Sequence, residues 1–196
     1  MKQNRENPFF ETYRTPFGTP PFDQIKTEQY EPAFDEGIRQ LDKEVRAIAD
    51  NTELPTIENT IVALERSGKL LDKVSSAFFN VLNAEADDEM MDISQRVSPK
   101  LSESSNNIYL NEQLFARVKS VYDQKEELHL PTEDARLLEE TFEAFCVRGA
   151  ALGPEEKEKY RKLSSELSLL SLTFDQNALK AVSYTHLRAH ETDQYL

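Results

Sequence analysis

The sequence predicts an all-α fold, a multi-helix antiparallel bundle of about seven helices preceded by an extended N-terminal arm. Apolar residues recur through most of the chain at alternating steps of three and four residues, which is the spacing of one face of an α-helix. The 196 residues are rich in Glu, Lys, Leu and Ala and include only 5 Gly, a composition that favours helices. No stretch is a convincing β-strand.

The first unit of the chain, residues 1–26, is predicted to be an extended arm. The prolines between Pro8 and Pro21 block a helix, and Gly18 favours a turn. The arm also carries large apolar side chains, which need cover from water. We therefore expect it to lie across a helical surface and to bury Phe9, Phe10, Phe17, Phe22 and Ile25.

Residues 27–181 are predicted to form one helical domain. Thr27 is a suitable N-cap for its first helix, because a threonine hydroxyl accepts a hydrogen bond from a free backbone N–H of the first turn. Pro32 is tolerated because it lies near the start of that helix. The helix should end near Asn51, and its apolar face consists of Tyr30, Phe34, Ile38, Leu41, Val45 and Ile48.

The second and third helices follow closely. Pro55 and Thr56 open the second helix, and Gly68 is its predicted C-cap or a kink, since glycine accepts the left-handed backbone that ends many helices. The apolar face of the second helix consists of Ile57, Ile61 and Leu64. The third helix carries Leu70, Leu71, Val74, Phe78 and Val81 on one face.

The next three helices have recognisable starts. Asp87 and Asp88 mark the start of the fourth helix, in which Pro99 should produce a kink. Asn111 caps the fifth helix, and Pro131 opens the sixth. The apolar positions of these helices are Met90, Ile93, Val97 and Leu101, then Leu114, Phe115, Val118, Val121 and Tyr122, then Leu138, Phe142 and Phe145.

The seventh helix, residues 153–180, has the most regular pattern in the chain. Pro154 stands at its first helical position, where the missing N–H costs nothing. One stripe of apolar residues then runs along it at steps of 3, 4, 3 and 4: Tyr160, Leu163, Leu167, Leu170 and Phe174. Taken alone, this spacing suggests a short coiled coil that closes a small bundle.

Charge and hydropathy restrict the possible partners. The net charge of −13 argues against nucleic acid, because phosphates would be repelled. The first ten residues contain no apolar signal core, and nothing in the chain approaches the ~18 consecutive apolar residues of a membrane span. We therefore expect no membrane partner and a cytoplasmic location.

No metal site or catalytic site is visible in the residues themselves. His129 stands alone at a joint between helices, and the pair His190–Glu191 fails the HExxH zinc motif because its second histidine is replaced by Gln194. His186 is the third histidine. The chain also lacks phosphate-binding glycine loops and nucleophile motifs. The sequence thus predicts no catalytic, cofactor-binding or metal-ligating residue.

Three further features have structural explanations. The acidic cluster lacks the spacing of a calcium loop and is typical of a helix N-terminus; it consists of Glu85, Asp87, Asp88 and Glu89. Glu139 and Glu140 are adjacent, so they point in different directions on a helix and form no catalytic pair. Cys146, the only cysteine, is predicted to be a buried, inert thiol.

Several stretches carry a resemblance to a known family. They are TPFGTPPFDQIKTEQYEPAFDEGI (15–38), LPTIENTIVALERSGKLLDKVSSAFFNVLNA (54–84), IYLNEQLFARVKSVY (108–122), ARLLEETFEAFCVRGAAL (135–152) and ELSLLSLTFDQNAL (166–179). Together they resemble the N-terminal part of bacterial peptidyl-dipeptidases and oligopeptidase A, members of the thimet oligopeptidase family of zinc metallopeptidases. The resemblance runs nearly continuously over residues 8–180.

The resemblance implies a mostly helical enzyme several times longer than this chain. In that family the N-terminal helices form a wall and lid of a deep channel that admits short peptides. The family's Zn²⁺ is held by an HExxH helix and a downstream Glu, and the Glu of the motif activates the attacking water. These residues lie beyond this chain, so the resemblance implies that no zinc binds here and that a C-terminal catalytic domain in cis is missing.

The end of the chain departs from the family. The string VSYTHLRAHET, residues 182–192, resembles one reading frame of an adapter used in sequencing libraries, and the leucine pattern stops where it begins. Residues 182–196 are therefore interpreted as a non-native tail, and the seventh helix is expected to end at Lys180. With the family in view, that helix leads from the lid toward the catalytic half.

The sequence therefore predicts an N-terminal fragment of a zinc metallopeptidase that hydrolyses short peptides, of the peptidyl-dipeptidase or oligopeptidase type. The fragment itself should be inactive. Without the catalytic half, its helices should expose an apolar patch of several hundred Å² or more and favour a loose or self-associating state, an estimate from patch sizes on monomers. The alternative is a stand-alone acidic helical binding module without catalysis.

Overall fold

The structure, a computed structural model, describes residues 7–85 and 87–192, with the side chains of Glu85 and of residues 179–192 left out. All regular structure in these residues is helical, as predicted. The α-helices are α1 (Tyr30–Ala49), α2 (Ala63–Glu65), α3 (Lys69–Glu85), α4 (Asp88–Tyr109), α5 (Glu112–Asp123), α6 (Lys125–Leu128), α7 (Thr132–Val147) and α8 (Pro154–Thr192). A π-helix, Ile57–Val62, runs directly into α2.

The N-terminal arm lies against the helices, but it buries only part of its apolar side chains. Phe9 is buried, and the Nζ of Lys73 in α3 donates to its carbonyl oxygen at 2.9 Å. Phe10 and Ile25 pack against the same core. The prediction for Phe17 and Phe22 was wrong: Phe17 occupies a tight turn at φ 60° with its ring in solvent, and Phe22 is 51% exposed.

The first helix begins later than predicted. Thr27 is not its cap but lies inside a 3-10 turn, Thr27–Gln29, and α1 follows at Tyr30. The Oε1 of Gln29 accepts a hydrogen bond from the backbone N–H of Lys26 at 2.8 Å, so the glutamine closes this turn instead of the threonine. The end of α1 at Ala49 agrees with the prediction.

A capping box starts the π-helix, and a hydrogen bond to α1 holds the segment that follows α2. At its start Thr56 and Asn59 form a reciprocal capping box: Thr56 Oγ1 accepts from Asn59 N at 3.1 Å, and Asn59 Oδ1 accepts from Thr56 N at 2.9 Å. Beyond α2, Gly68 adopts φ 76° and donates its N–H to Glu44 Oε2 of α1 at 2.7 Å. The predicted start at Thr56 is confirmed, whereas the C-cap of α2 is Arg66, and Gly68 lies two residues beyond it with the left-handed backbone that suits a glycine.

Two apolar cores fill the bundle, and α1 contributes to both. In the first core, formed with the arm, α3 and α4, the Phe78 ring packs edge-on against Tyr30 and Phe34. The second core lies between the end of α1, the π-helix, α5 and α7; its fully buried side chains include Ile61 and Leu114. Gly37 allows α1 to approach α3, since a Cβ there would lie 3.0 Å from the Cα of Leu71.

The last helix extends further than expected. Its backbone continues past Lys180 to Thr192, because residues 181–192 contain neither glycine nor proline to interrupt the helical hydrogen bonds. Residues 193–196 lie outside the described residues. Among those that are described, no helix is both long and apolar enough to cross a membrane.

Candidate functional surfaces

The described part of the chain brings no metal-binding group together. Among the side chains that the structure describes, those of residues 7–84 and 87–178, no three His, Cys, Asp or Glu residues converge as metal ligands. His129 is exposed at the left-handed C-cap of α6, where its Nδ1 lies 2.7 Å from the carbonyl oxygen of Glu127. The side chains of His186 and His190 lie outside the described residues.

The remaining sequence candidates have structural roles. Asp87 caps α4 by accepting a hydrogen bond from Met90 N at 2.7 Å, as the helix-start interpretation predicts. Glu139 and Glu140 pair with different cations, Lys125 at 3.6 Å and Arg136 at 2.8 Å, so they do face apart.

Cys146 corrects the sequence prediction, because its thiol is exposed instead of buried. Its neighbour Phe145 faces the second core, and one step along a helix turns the next side chain by about 100°. The ring of Phe145 thus takes the core position, and the thiol of the adjacent Cys146 is exposed.

A groove of about 900 Å³ lies between the arm and helices α1 and α3. Lys73 is one of its lining residues, with its Nζ 3.7 Å from the ring centroid of Tyr13. Burial, together with the nearby Tyr30, raises the pKa of Tyr13 to about 12. On the opposite wall Glu36 binds Arg39 in a bidentate pair and also accepts from Gln40. The groove is therefore polar and rich in paired charges.

Acid should weaken this wall of the groove. Hydrogen bonds from Arg39 and Gln40 lower the pKa of Glu36 to about 2, well below the ~4.3 of a free glutamate. The stabilisation is complete above the unfolded pKa and is lost as the pH falls toward 2. We expect Glu36→Gln to flatten the decline of Tm between pH 5 and pH 2, whereas Glu58→Gln, at an exposed carboxylate, should leave it unchanged. Equal acid profiles for all three proteins would contradict this assignment.

The contact between α4 and α8 is mostly polar. Asn106 Nδ2 of α4 donates to Ser164 Oγ of α8 at 2.8 Å, while Lys157 Nζ of α8 donates to Oε1 of Glu112, the first residue of α5, at 3.0 Å. Further along, Gln176 Nε2 donates to Ser94 Oγ at 3.3 Å. A groove of about 400 Å³ lies beside these contacts and is lined by serines of both helices together with Phe79, Leu101, Asn106, Tyr109, Arg148 and Tyr160.

The apolar stripe of α8 lies on a different face from these contacts; four of its five residues face solvent, whereas Tyr160 is half-buried beside the groove. Leu163, Leu167, Leu170 and Phe174 are between 60% and 72% exposed. The stripe therefore does not close the bundle, as its coiled-coil spacing alone suggested.

Two of the stretches that carry the family resemblance meet at Arg117, a buried side chain of α5. Its Nη1 donates to the carbonyl oxygens of Asn51 and Glu53 at 2.7 and 2.9 Å. Its Nη2 donates to Asn59 Oδ1 at 2.9 Å and to Thr60 Oγ1 at 3.3 Å. This cluster was not predicted from the sequence, although Arg117 lies at a core-facing position beside Leu114 and Val118, which indicates a buried arginine that needs hydrogen-bond acceptors.

Comparison with known proteins identifies relatives of most of the chain. No family model matches the chain. It is 42% identical over 175 residues to a dipeptidyl carboxypeptidase of Escherichia coli (strain K12), a match that covers 89% of this chain and 26% of that protein. The Salmonella typhimurium dipeptidyl carboxypeptidase is 40% identical over the same shares, and oligopeptidase A of that organism is 23% identical over 180 residues, covering 91% of this chain and 26% of its own length.

These matches extend over most of the chain, whereas the chain spans only about a quarter of the length of the relatives. The all-helical fold is consistent with such a part of a longer helical protein. The chain thus belongs to the family of dipeptidyl carboxypeptidases and oligopeptidase A, and it fits an N-terminal fragment of that family.

Proposed function

We propose that this chain is the N-terminal segment of a zinc metallopeptidase that hydrolyses short peptides, acting as a peptidyl-dipeptidase or an oligopeptidase in the cytoplasm. The observation that carries the proposal is the 42% identity to a protein named dipeptidyl carboxypeptidase. In this proposal the helices form a wall of the peptide channel and pack in cis against a C-terminal catalytic domain. Residues 182–196 are proposed to be a non-native tail.

Zinc does not fit the residues that the structure describes. A catalytic zinc site needs three protein ligands with an open fourth position, and no such group occurs among the described residues. We therefore assign no catalytic step to this chain. The zinc and the reaction are proposed to belong to the part of the longer protein that this chain does not span.

The purified 196-residue chain is expected not to hydrolyse a quenched peptide, with or without added Zn²⁺. The E. coli dipeptidyl carboxypeptidase, assayed in parallel, is the positive control. Zinc-dependent cleavage that remains with the chain after repurification would contradict the proposal, and its loss in a His129→Ala variant would place the site at that histidine.

A stand-alone acidic binding module is the second candidate function, and the exposed stripe of α8 favours it. The coding DNA beyond Lys180 separates the two candidates. An open reading frame that continues to an HExxH motif supports the peptidase. A stop codon directly after the helix supports the binding module.

A further inference from the structure

We propose that the N-terminal arm is a strap that opens from the helices while they remain folded, and that Lys73 of α3 is the latch that keeps it closed. The proposal concerns the described part of the arm, residues 7–26, and its contacts with α1 and α3. It is independent of the peptidase assignment, because it rests on contacts within this chain alone.

Three alternate residues of the arm converge on the amine of Lys73. Its Nζ donates to the carbonyl oxygen of Phe9 at 2.9 Å and to that of Glu11 at 2.6 Å. The same Nζ lies 3.7 Å from the ring centroid of Tyr13, a cation–π contact. An ammonium group has three N–H donors, and two of them are engaged by the backbone of the arm. One side chain of α3 therefore holds residues 9, 11 and 13 together.

The ring of Phe9 is the second attachment of the arm. It is 1% exposed, and its centroid lies 5.3 Å from that of Tyr30 in α1. Because Lys73 binds the carbonyl oxygen of the same residue, the latch also fixes how deeply this ring enters the first core. At the start of the described arm, Asn7 Nδ2 donates to the carbonyl oxygen of Gln29 at 2.8 Å.

The rest of the arm is loosely attached. Most of residues 11–20 are exposed, and the groove of about 900 Å³ lies between the arm and helices α1 and α3. The backbone hydrogen bonds of its turns stay within the arm: Glu11 N donates to Pro8 O at 3.2 Å, and Gln24 N donates to Pro21 O at 2.9 Å. A segment with few buried apolar contacts opens at a lower free energy than the whole domain.

Opening also relieves two unfavourable features of the closed arm. Burial lowers the pKa of Lys73, although the nearby Glu11 carboxylate opposes the shift, so the amine is partly desolvated while the arm is closed. The hydroxyl of Tyr13 is buried and has no hydrogen-bond partner among the described residues. Both groups bind water once the arm leaves, so the open state contains no stranded charge and the helices can remain folded.

Native-state hydrogen exchange at low urea concentrations tests the strap in the unmodified chain. The amides of Phe10 and Glu11 belong to a short 3-10 turn, which does not persist without its contacts to the helices. We expect their exchange rates to change little with urea, whereas that of Phe78 in α3 should rise steeply, because local opening exposes little surface. An equally steep urea dependence for all three amides would overturn the proposal, since the arm and the helices would then open together.

The variant Lys73→Met tests the latch. Methionine retains the apolar stem and removes both hydrogen bonds to the arm, so exchange at Phe10 and Glu11 should accelerate by about tenfold while exchange in α5 stays unchanged. The matched control is Lys69→Met, which removes the same charge from an exposed lysine of α3 that also lines the groove. Its arm should exchange like that of the unmodified chain.

Three outcomes would contradict the role of Lys73. They are no acceleration in Lys73→Met, equal acceleration in Lys69→Met, and equal acceleration of the arm and α5 in Lys73→Met, which would indicate a general loss of stability. If Lys73→Met does not fold, the urea dependence of the unmodified chain still decides whether the arm opens separately, and Lys73→Gln, which keeps a shorter donor, should accelerate exchange in the arm less than tenfold but more than Lys69→Met.

Discussion

Replacing Phe78 by alanine is expected to lower the free energy of unfolding by about 3–5 kcal/mol, the usual cost of deleting a buried phenylalanine ring. Phe78 is fully buried in the first core. Its ring centroid lies 5.0 Å from that of Tyr30, 5.3 Å from that of Phe34 and 5.2 Å from that of Phe79. The substitution would leave three aromatic side chains facing a cavity at the junction of the arm, α1 and α3.

Urea unfolding followed by circular dichroism measures this loss. The control is Phe22→Ala, which removes the same ring from a half-exposed site of the arm and should cost less than about 1 kcal/mol. If Phe78→Ala unfolds the chain outright, Phe78→Leu keeps most of the volume and should give an intermediate loss. Similar losses for Phe78→Ala and Phe22→Ala would mean that the first core is not the stabilising element described here.

The features that were predicted well depend on residues close together in the chain. Thr56, Asp87 and Asn111 each cap a helix by accepting a hydrogen bond from the residue three positions later. Such contacts require no knowledge of the tertiary structure. The apolar spacing within α1 and α3 is equally local, because all the residues of each pattern lie on a single helix.

The wrong predictions concern burial, which depends on distant parts of the chain. Phe17 and Cys146 were assigned to the interior because of their side chains, but both are exposed, while Phe9 of the same arm and Phe145 next to Cys146 are buried. In α8 the spacing correctly placed the leucines on one face. It could not show which face would contact α4, and the polar side chains of Ser164 and Gln176 made that contact.

Replacing Arg117 by methionine is expected to lower the free energy of unfolding by about 3 kcal/mol. Each hydrogen bond to a charged donor contributes roughly 1.5–3 kcal/mol, but bonds in one cluster are not additive. Methionine retains much of the side chain's apolar contact and removes all four hydrogen bonds of the guanidinium group. The carbonyl oxygens of Asn51 and Glu53 would then lose the donor that holds their loop against α5.

Arg117→Met should destabilise the π-helix in particular, in addition to lowering the free energy of unfolding of the whole chain. Lys119→Met is the matched control on the same helix; Lys119 is half-exposed and pairs only with Asp123 among the contacts described, so its loss should be below about 0.5 kcal/mol. Arg117→Lys should lie between the two, since an ammonium group cannot span four acceptors. Amide hydrogen exchange in Ile57–Val62 should accelerate in Arg117→Met more than exchange in α3.

Uniform acceleration across the π-helix and α3 would contradict this role, because it would indicate that Arg117 stabilises the whole bundle and not the loop and π-helix in particular. The geometry favours the local outcome. Asn59 accepts hydrogen bonds both from the capping threonine and from Arg117, so the arginine is joined directly to the hydrogen bonds that start the π-helix. Loss of Arg117 would leave Asn59 with contacts to Leu54, Thr56 and Thr60 only, all of them close in the chain. The π-helix would then open more readily than the helices buried in the first core.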